Sequence, residues 1–199
     1  MTILQLAALF YLVSYFGGII GVRSWMLYRR TGINPLKARE KSGISGIVNR
    51  TSGFCMLLMA VVAINYVFLA ANYPLLVPIP WLLHDWIALA GVTAAFLGLG
   101  VTAVAQWQMG SSWRLALDED EKTPLVTGGL YRFSRNPVYA ALILSYLGFF
   151  LMLPNAVSLC FLVLSYFSLA VKIRLEEGYL DGIHGAAFRD YRARVRRWV

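Results

Sequence analysis

Residues 138–171 read VYAALILSYLGFFLMLPNAVSLCFLVLSYFSLAV, two uncharged apolar runs on either side of Pro154-Asn155. A helix that is apolar all round has no face to offer water, and proline after asparagine marks a turn. The stretch therefore reads as a tight helical hairpin in a bilayer. Its arms, 138–153 and 156–171, fall short of the ~20 residues that cross ~30 Å of hydrocarbon. They must extend into flanking residues, thin the bilayer locally, or turn back early.

Working outward, three more uncharged runs of spanning length precede the hairpin, at 3–22, 51–72 and 86–105. The expected fold is all-α: a polytopic membrane protein of five transmembrane helices, the last two the short hairpin. Composition agrees. Of 199 residues, 59% are hydrophobic and 14% charged, against ~25% charged in ordinary domains. That much apolar surface exceeds what one small core buries, and it excludes a disordered chain, a coiled coil and a disulfide scaffold. Cys55 and Cys160 lie in separate apolar runs, a spacing that suggests neither a zinc site nor a disulfide framework.

The net charge is +8. In a membrane chain this reports loops facing an anionic leaflet rather than nucleic acid, so no nucleic-acid partner is expected. Segment 23–50 holds seven basic residues, 106–137 four and 172–199 seven, which together make all 18. The N-terminus, residues 73–85 and the 154–155 turn hold none. Five crossings then place the N-terminus outside and the C-terminus in the cytoplasm. The first run is not a cleavable signal, because Arg23, Arg29 and Arg30 follow it rather than precede it.

Two polar stretches on the basic side flank the hairpin. The first, 106–139, is QWQMGSSWRLALDEDEKTPLVTGGLYRFSRNPVY. Its acidic run, 118–121, lacks the alternating oxygen ligands of a metal loop and reads as a solvated loop; no metal is expected. Gly128-Gly129 frees the backbone for a sharp turn. Pro137 suits the first turn of a helix and Asn136 its N-cap, which makes the arginines headgroup anchors. Alternatively, Arg132, Arg135, Asn136, Tyr131 and Tyr139 beside a helix N-terminus suit an anionic ligand. The second stretch is Lys172 to Leu180, KIRLEEGYL. Lys172 and Glu176 are four apart and Arg174 and Glu177 three apart, so each pair shares a helix face. The cluster is either a set of intrahelical ion pairs or a carboxylate turned to a cavity. In the tail, Phe188, Tyr191, Val195 and Trp198 form one helical stripe among arginines, the pattern of an amphipathic helix on anionic lipid. His84 reads as an interfacial cap.

Taken together, the MGSSW segment, TPLVTGGLYRFSRNPVY, the short hairpin, RLEEGYL and HGAAFRDYRARV resemble the isoprenylcysteine carboxyl methyltransferase family and its bacterial relatives, which also resemble phospholipid N-methyltransferases. The likeness covers about residues 98–199, a methyltransferase-like region integrated with the helices of 1–97 in one membrane domain. It implies an integral membrane enzyme, set in a bacterial inner membrane, that uses S-adenosylmethionine. The methyl acceptor would be lipid-like or a small hydrophobic molecule entering from the bilayer. By position, the resemblance implies Leu125, Val126, Tyr131, Asn136, Pro137, Val138, Tyr139 and Glu176 as cofactor-binding. Lys172 would orient the substrate, and Arg135, Arg174 and Glu177 would act in catalysis. Asn136 stands where many members have histidine and Leu130 where proline is usual; an amide hydrogen-bonds but does not titrate.

Two rival readings remain at this level. A reductase of the sterol-reductase type would use a nicotinamide cofactor but needs more helices than this chain offers. A transport or assembly subunit would carry charges in mid-span, where Asn65 is the conspicuous polar residue.

Overall fold

The computed structural model describes residues 1–32, 43–110 and 124–198. Of the expectations above, Lys37, Arg39, Lys41, Arg114, Lys122, the acidic run 118–121 and residues 111–113 lie outside the described residues.

Seven α-helices form the described chain: α1 (Ile3–Val13), α2 (Arg23–Thr31), α3 (Ile44–Phe68), α4 (Asp85–Met109), α5 (Pro137–Met152), α6 (Ala156–His184) and α7 (Ala186–Arg194). A π-helical segment, Ser14–Val22, joins α1 to α2. Four helical stretches are long and apolar enough to cross a membrane: Ile3–Met26, α3, α4 and α6. The fifth, α5, has 16 residues. Of the five expected spans, four are of spanning length, and α5 is a shorter apolar helix. The hairpin is also asymmetric, because α6 does not stop near residue 171 but runs on to His184. Burial of Ile173 and Glu177 explains this: the helix leaves the apolar run still packed against protein.

Cross-links between helices sort the chain into two ends. At one end Arg23 donates to the Gln106 and Gly110 carbonyls (2.6 and 2.7 Å), and Ser52 meets Ser168 (3.1 Å). At the other, Gln5 donates to the Tyr66 carbonyl (3.2 Å) and Asn155 to the Tyr73 hydroxyl (3.3 Å). The basic segments gather at the first end.

The closest pairing is α4 against α5. A Cβ on Gly148 would lie 2.2 Å from the Ala95 nitrogen, one on Gly98 2.5 Å from the Ser145 nitrogen and one on Gly91 2.4 Å from the Met152 nitrogen. Without aqueous surroundings to drive helices together, such small-residue seams supply the association through close backbone packing. Behind the seam, Tyr11 stacks on Phe149 (5.3 Å) and Phe149 meets Phe161 edge-on (5.7 Å). Four of the buried hydroxyls are paired: Tyr11 with Ser145 (2.9 Å), which donates to the Ala95 carbonyl, and Tyr15 with Tyr146 (2.7 Å).

Three local expectations change. His84 sits at the α4 N-cap without a side-chain cap bond. Asn155, read only as part of a turn, forms a reciprocal capping box with Ser158. The tail is not one amphipathic helix on lipid: α7 ends at Arg194, Val195 is extended, and Phe188 and Tyr191 are buried in protein.

Candidate active site

The site forms where the loop before α5 meets the far half of α6. Gly129 takes φ +61°, a conformation that favours glycine, and a Cβ there would strike the Gln108 side chain at 2.4 Å. The Gln108 amide oxygen instead accepts from the Leu130 N–H (2.8 Å). This close approach sends the 3₁₀ turn Gly129–Arg132 inward and buries Tyr131. The Tyr131 hydroxyl donates to the Ala105 carbonyl (3.4 Å). Burial first, and the nearby Glu176 carboxylate second, push that phenol well above its ordinary range, so it stays a neutral donor. Leu125 and Val126 are half-buried in the extended stretch before the turn.

Asn136 occupies the α5 N-cap position and Pro137 the first turn, as expected, but the amide does not cap. Its Nδ2 donates to Glu177 Oε1 (3.2 Å) and to the Arg197 carbonyl (3.1 Å). The Ser134 hydroxyl accepts the Asn136 N–H instead (3.1 Å). Arg135 is equally committed. Its Nε donates to Glu177 Oε1 (3.0 Å) and its Nη1 to the Val195 and Arg192 carbonyls (2.6 and 3.1 Å). Its backbone N–H donates to the Arg196 carbonyl (2.9 Å). Arg197 closes on Glu177 Oε2 through Nε and Nη2 (3.0 and 2.8 Å). Glu177 is therefore a buried carboxylate held by two guanidiniums and an amide. The spacing partner, Arg174, is exposed instead.

Neighbouring residues on an α-helix diverge by about 100°, and Glu176 meets a different setting. It accepts the Tyr139 hydroxyl. The Lys172 ammonium lies 5.7 Å from the centre of the Tyr139 ring, within cation–π range. Lys172, Glu176, Tyr139 and Val138 are each half-buried, so this face is less closed than that of the buried Glu177. The structure thus divides the expected site residues. Tyr139, Glu176, Lys172 and, beneath them, Tyr131 form one cluster. Arg135, Asn136 and Glu177 form a closed knot with the tail, and Arg174 joins neither. Among the described residues no group of histidine, cysteine, aspartate and glutamate is placed to hold a metal ion.

The sequence reading missed Arg197, Ser134, Gln108 and Tyr191. The arginine-dense tail was the available signal, but it reads equally as a lipid anchor. Tyr191 seals the tail from below, donating to the Tyr131 carbonyl (2.5 Å).

A family model, phospholipid methyltransferase, matches residues 86–187, just over half of the chain. The chain belongs to the phospholipid methyltransferase family. Within this methyltransferase family the chain is 31% identical over 115 residues to protein-S-isoprenylcysteine O-methyltransferase B of Arabidopsis thaliana. That match takes in 56% of this chain and 58% of the relative, so the chain spans little more than half the length of the curated relative. The solved structure of the eukaryotic intramembrane Ras methyltransferase ICMT, isoprenylcysteine carboxyl methyltransferase, shares the fold. The TM-score is 0.57 at 20% identity, covering 95% of this chain and 67% of that one. These matches identify an isoprenylcysteine-methyltransferase-like member of the family. Its site sits at the basic end of a bundle built from membrane-spanning helices.

Proposed function

We propose that this chain is an integral membrane methyltransferase that uses S-adenosylmethionine on a lipid-like or small hydrophobic acceptor. The observation that carries the reading is the half-buried cluster of Glu176, Tyr139 and Lys172 over Tyr131. Its donor set fits the cofactor. Glu176 suits an ammonium or ribose hydroxyls, Lys172 a carboxylate, and the two tyrosine rings an adenine or a sulfonium. Leu125, Val126 and Val138, each half-buried, would supply apolar walls.

The cofactor, when bound, supplies an electrophilic methyl group. The protein's residues position the acceptor and exclude water. An acceptor carboxylate needs no base. An amine must first lose a proton, and Glu177, neutralised by two arginines, is a poor acceptor for it; Glu176 with Tyr139 is the better placed pair. Arg135, Asn136 and Glu177 act by fixing the α5 start and the tail around this cluster. The methyl acceptor reaches the site from the bilayer, beside apolar helix faces that stay exposed on the bundle. The relative's name, an O-methyltransferase of protein isoprenylcysteine, favours O-methylation of a carboxylate. The basic end faces the cytoplasm.

The test is binding of labelled S-adenosylmethionine to the purified protein in detergent. The wild type binds, and Glu176→Gln weakens binding about 10- to 100-fold, the loss of one or two hydrogen bonds to a charged group. No binding to the wild type removes the reading; unchanged binding by Glu176→Gln removes that residue's role.

A further inference from the structure

The end of the bundle remote from the site carries its own unusual arrangement. The α5–α6 turn is buried: Leu153, Asn155 and Met152 are closed off from solvent. What covers them is the segment between α3 and α4. The Ile79 N–H donates to the Pro154 carbonyl and the Ala156 N–H to the Val77 carbonyl, both at 3.0 Å. An antiparallel bridge pairs Pro78 with Asn155. Asn155 also donates to the Tyr73 hydroxyl. Val77 is held at φ +54°, a costly conformation for a β-branched residue.

Helix lengths give the depth of this contact. The last turn of α5 packs at Gly91, whose Cβ would meet Met152 and Leu151. The α4 helix continues six residues beyond Gly91, to Asp85. At 1.5 Å per residue, Asp85 stands about 9 Å further out than the end of α5 at Met152. The cover is seated on the turn beyond that end, in the space that these last six residues of α4 leave above α5. It has no charged residue from 69 to 83, yet its side chains do not all face protein. Leu75 is 78% exposed, Val77 63% and Trp81 75%.

We propose that residues 73–81 are a re-entrant segment seated in the lipid leaflet, with Leu75, Val77 and Trp81 against acyl chains. It fills the space above a helix too short to reach the surface. Irregular backbone survives at membrane depth only where protein satisfies its polar groups. The bonds to Pro154 and Ala156 do that, and Pro74, Pro78 and Pro80 bring no N–H to satisfy. Lipid is the occupant because the exposed side chains continue the apolar helix faces on either side, Phe68 and Leu69 before them and Trp86 and Leu89 after. No charge intervenes until Asp85.

Site-directed spin labelling in proteoliposomes tests it. In a Cys55→Ala, Cys160→Ala background, nitroxides are placed singly through Leu75→Cys, Val77→Cys, Trp81→Cys and, as an aqueous reference, His84→Cys. All four positions are exposed, so the labels displace no core; far-UV circular dichroism checks the fold. Collision with oxygen, which concentrates in lipid, is compared with collision with a water-soluble nickel chelate. The ratio should favour oxygen at 75, 77 and 81 and the chelate at 84. Chelate-dominated collision at 75 and 77 would mean a water-facing loop and overturn the proposal. Low collision with both reagents would mean that protein, such as a second copy, covers the patch, and would overturn it equally.

Discussion

Glu176 and Glu177 share a backbone and a chemistry, yet one residue of helical advance gives them opposite surroundings. The Glu177 side chain is 7% exposed and paired with Arg135, itself 9% exposed, and with Arg197. Removing one member of a buried pair strands the other, so Glu177→Gln should lower stability by about 3 kcal/mol, read as an earlier midpoint in detergent unfolding. Arg197→Ala, at a side chain 40% exposed, should cost only about 1 kcal/mol. Glu176→Gln should leave the midpoint nearly unchanged while cofactor binding falls. Equal losses of stability at both glutamates would contradict the division of labour. Tyr191 gives a pH signature. Burial chiefly raises its phenol from 10.0 to about 12. A raised acid favours the folded state fully below its unfolded pKa, so the seal is insensitive to pH up to about 10. It weakens as pH rises from there through 12. Alkaline titration of tail proteolysis should show release in that window, and Tyr191→Phe should reduce the dependence, leaving the part due to Tyr131.

Among the elements, the α4–α5 seam bears most of the packing precision. Gly91, Gly98 and Gly148 each bring backbone against backbone, with no flexible side chain to yield. Gly148→Leu must force the helices apart, at about 1–3 kcal/mol or more, and since α5 carries Tyr139 it should also reduce binding at the site. Gly100→Ala, which meets nothing within 4 Å, should be neutral. Thermal unfolding and cofactor binding of the two variants separate these outcomes. The seam was invisible in sequence for a plain reason. Glycine is abundant in membrane helices, and only the partner's position shows which glycine is needed. The same holds for the span of α6. Polarity at Lys172–Glu177 suggests an exit from the bilayer, whereas helix continuation is decided by inward packing of Ile173 and Glu177.

For the whole molecule, the C-terminal strap is the global fastening. Residues 192–197 supply four carbonyls to Arg135 and Asn136 and one guanidinium to Glu177. Truncation after Arg194 should keep the helical content by circular dichroism but weaken cofactor binding at least as much as Arg197→Ala. Reporter fusions at the C-terminus should report the cytoplasm, since the basic segments collect at that end; a periplasmic report would reverse the proposed orientation. The charge partition and the hairpin were legible from sequence because hydropathy and charge are local sums over 20-residue windows. They determined an all-helical membrane bundle and pointed to the two segments that meet at the proposed site. Which glutamate opens and which is locked, where the tail lies, and how a 16-residue helix is accommodated were decided only by tertiary structure. Each depends on angular position around a helix and on partners 20 to 80 residues away, quantities that a linear pattern does not contain.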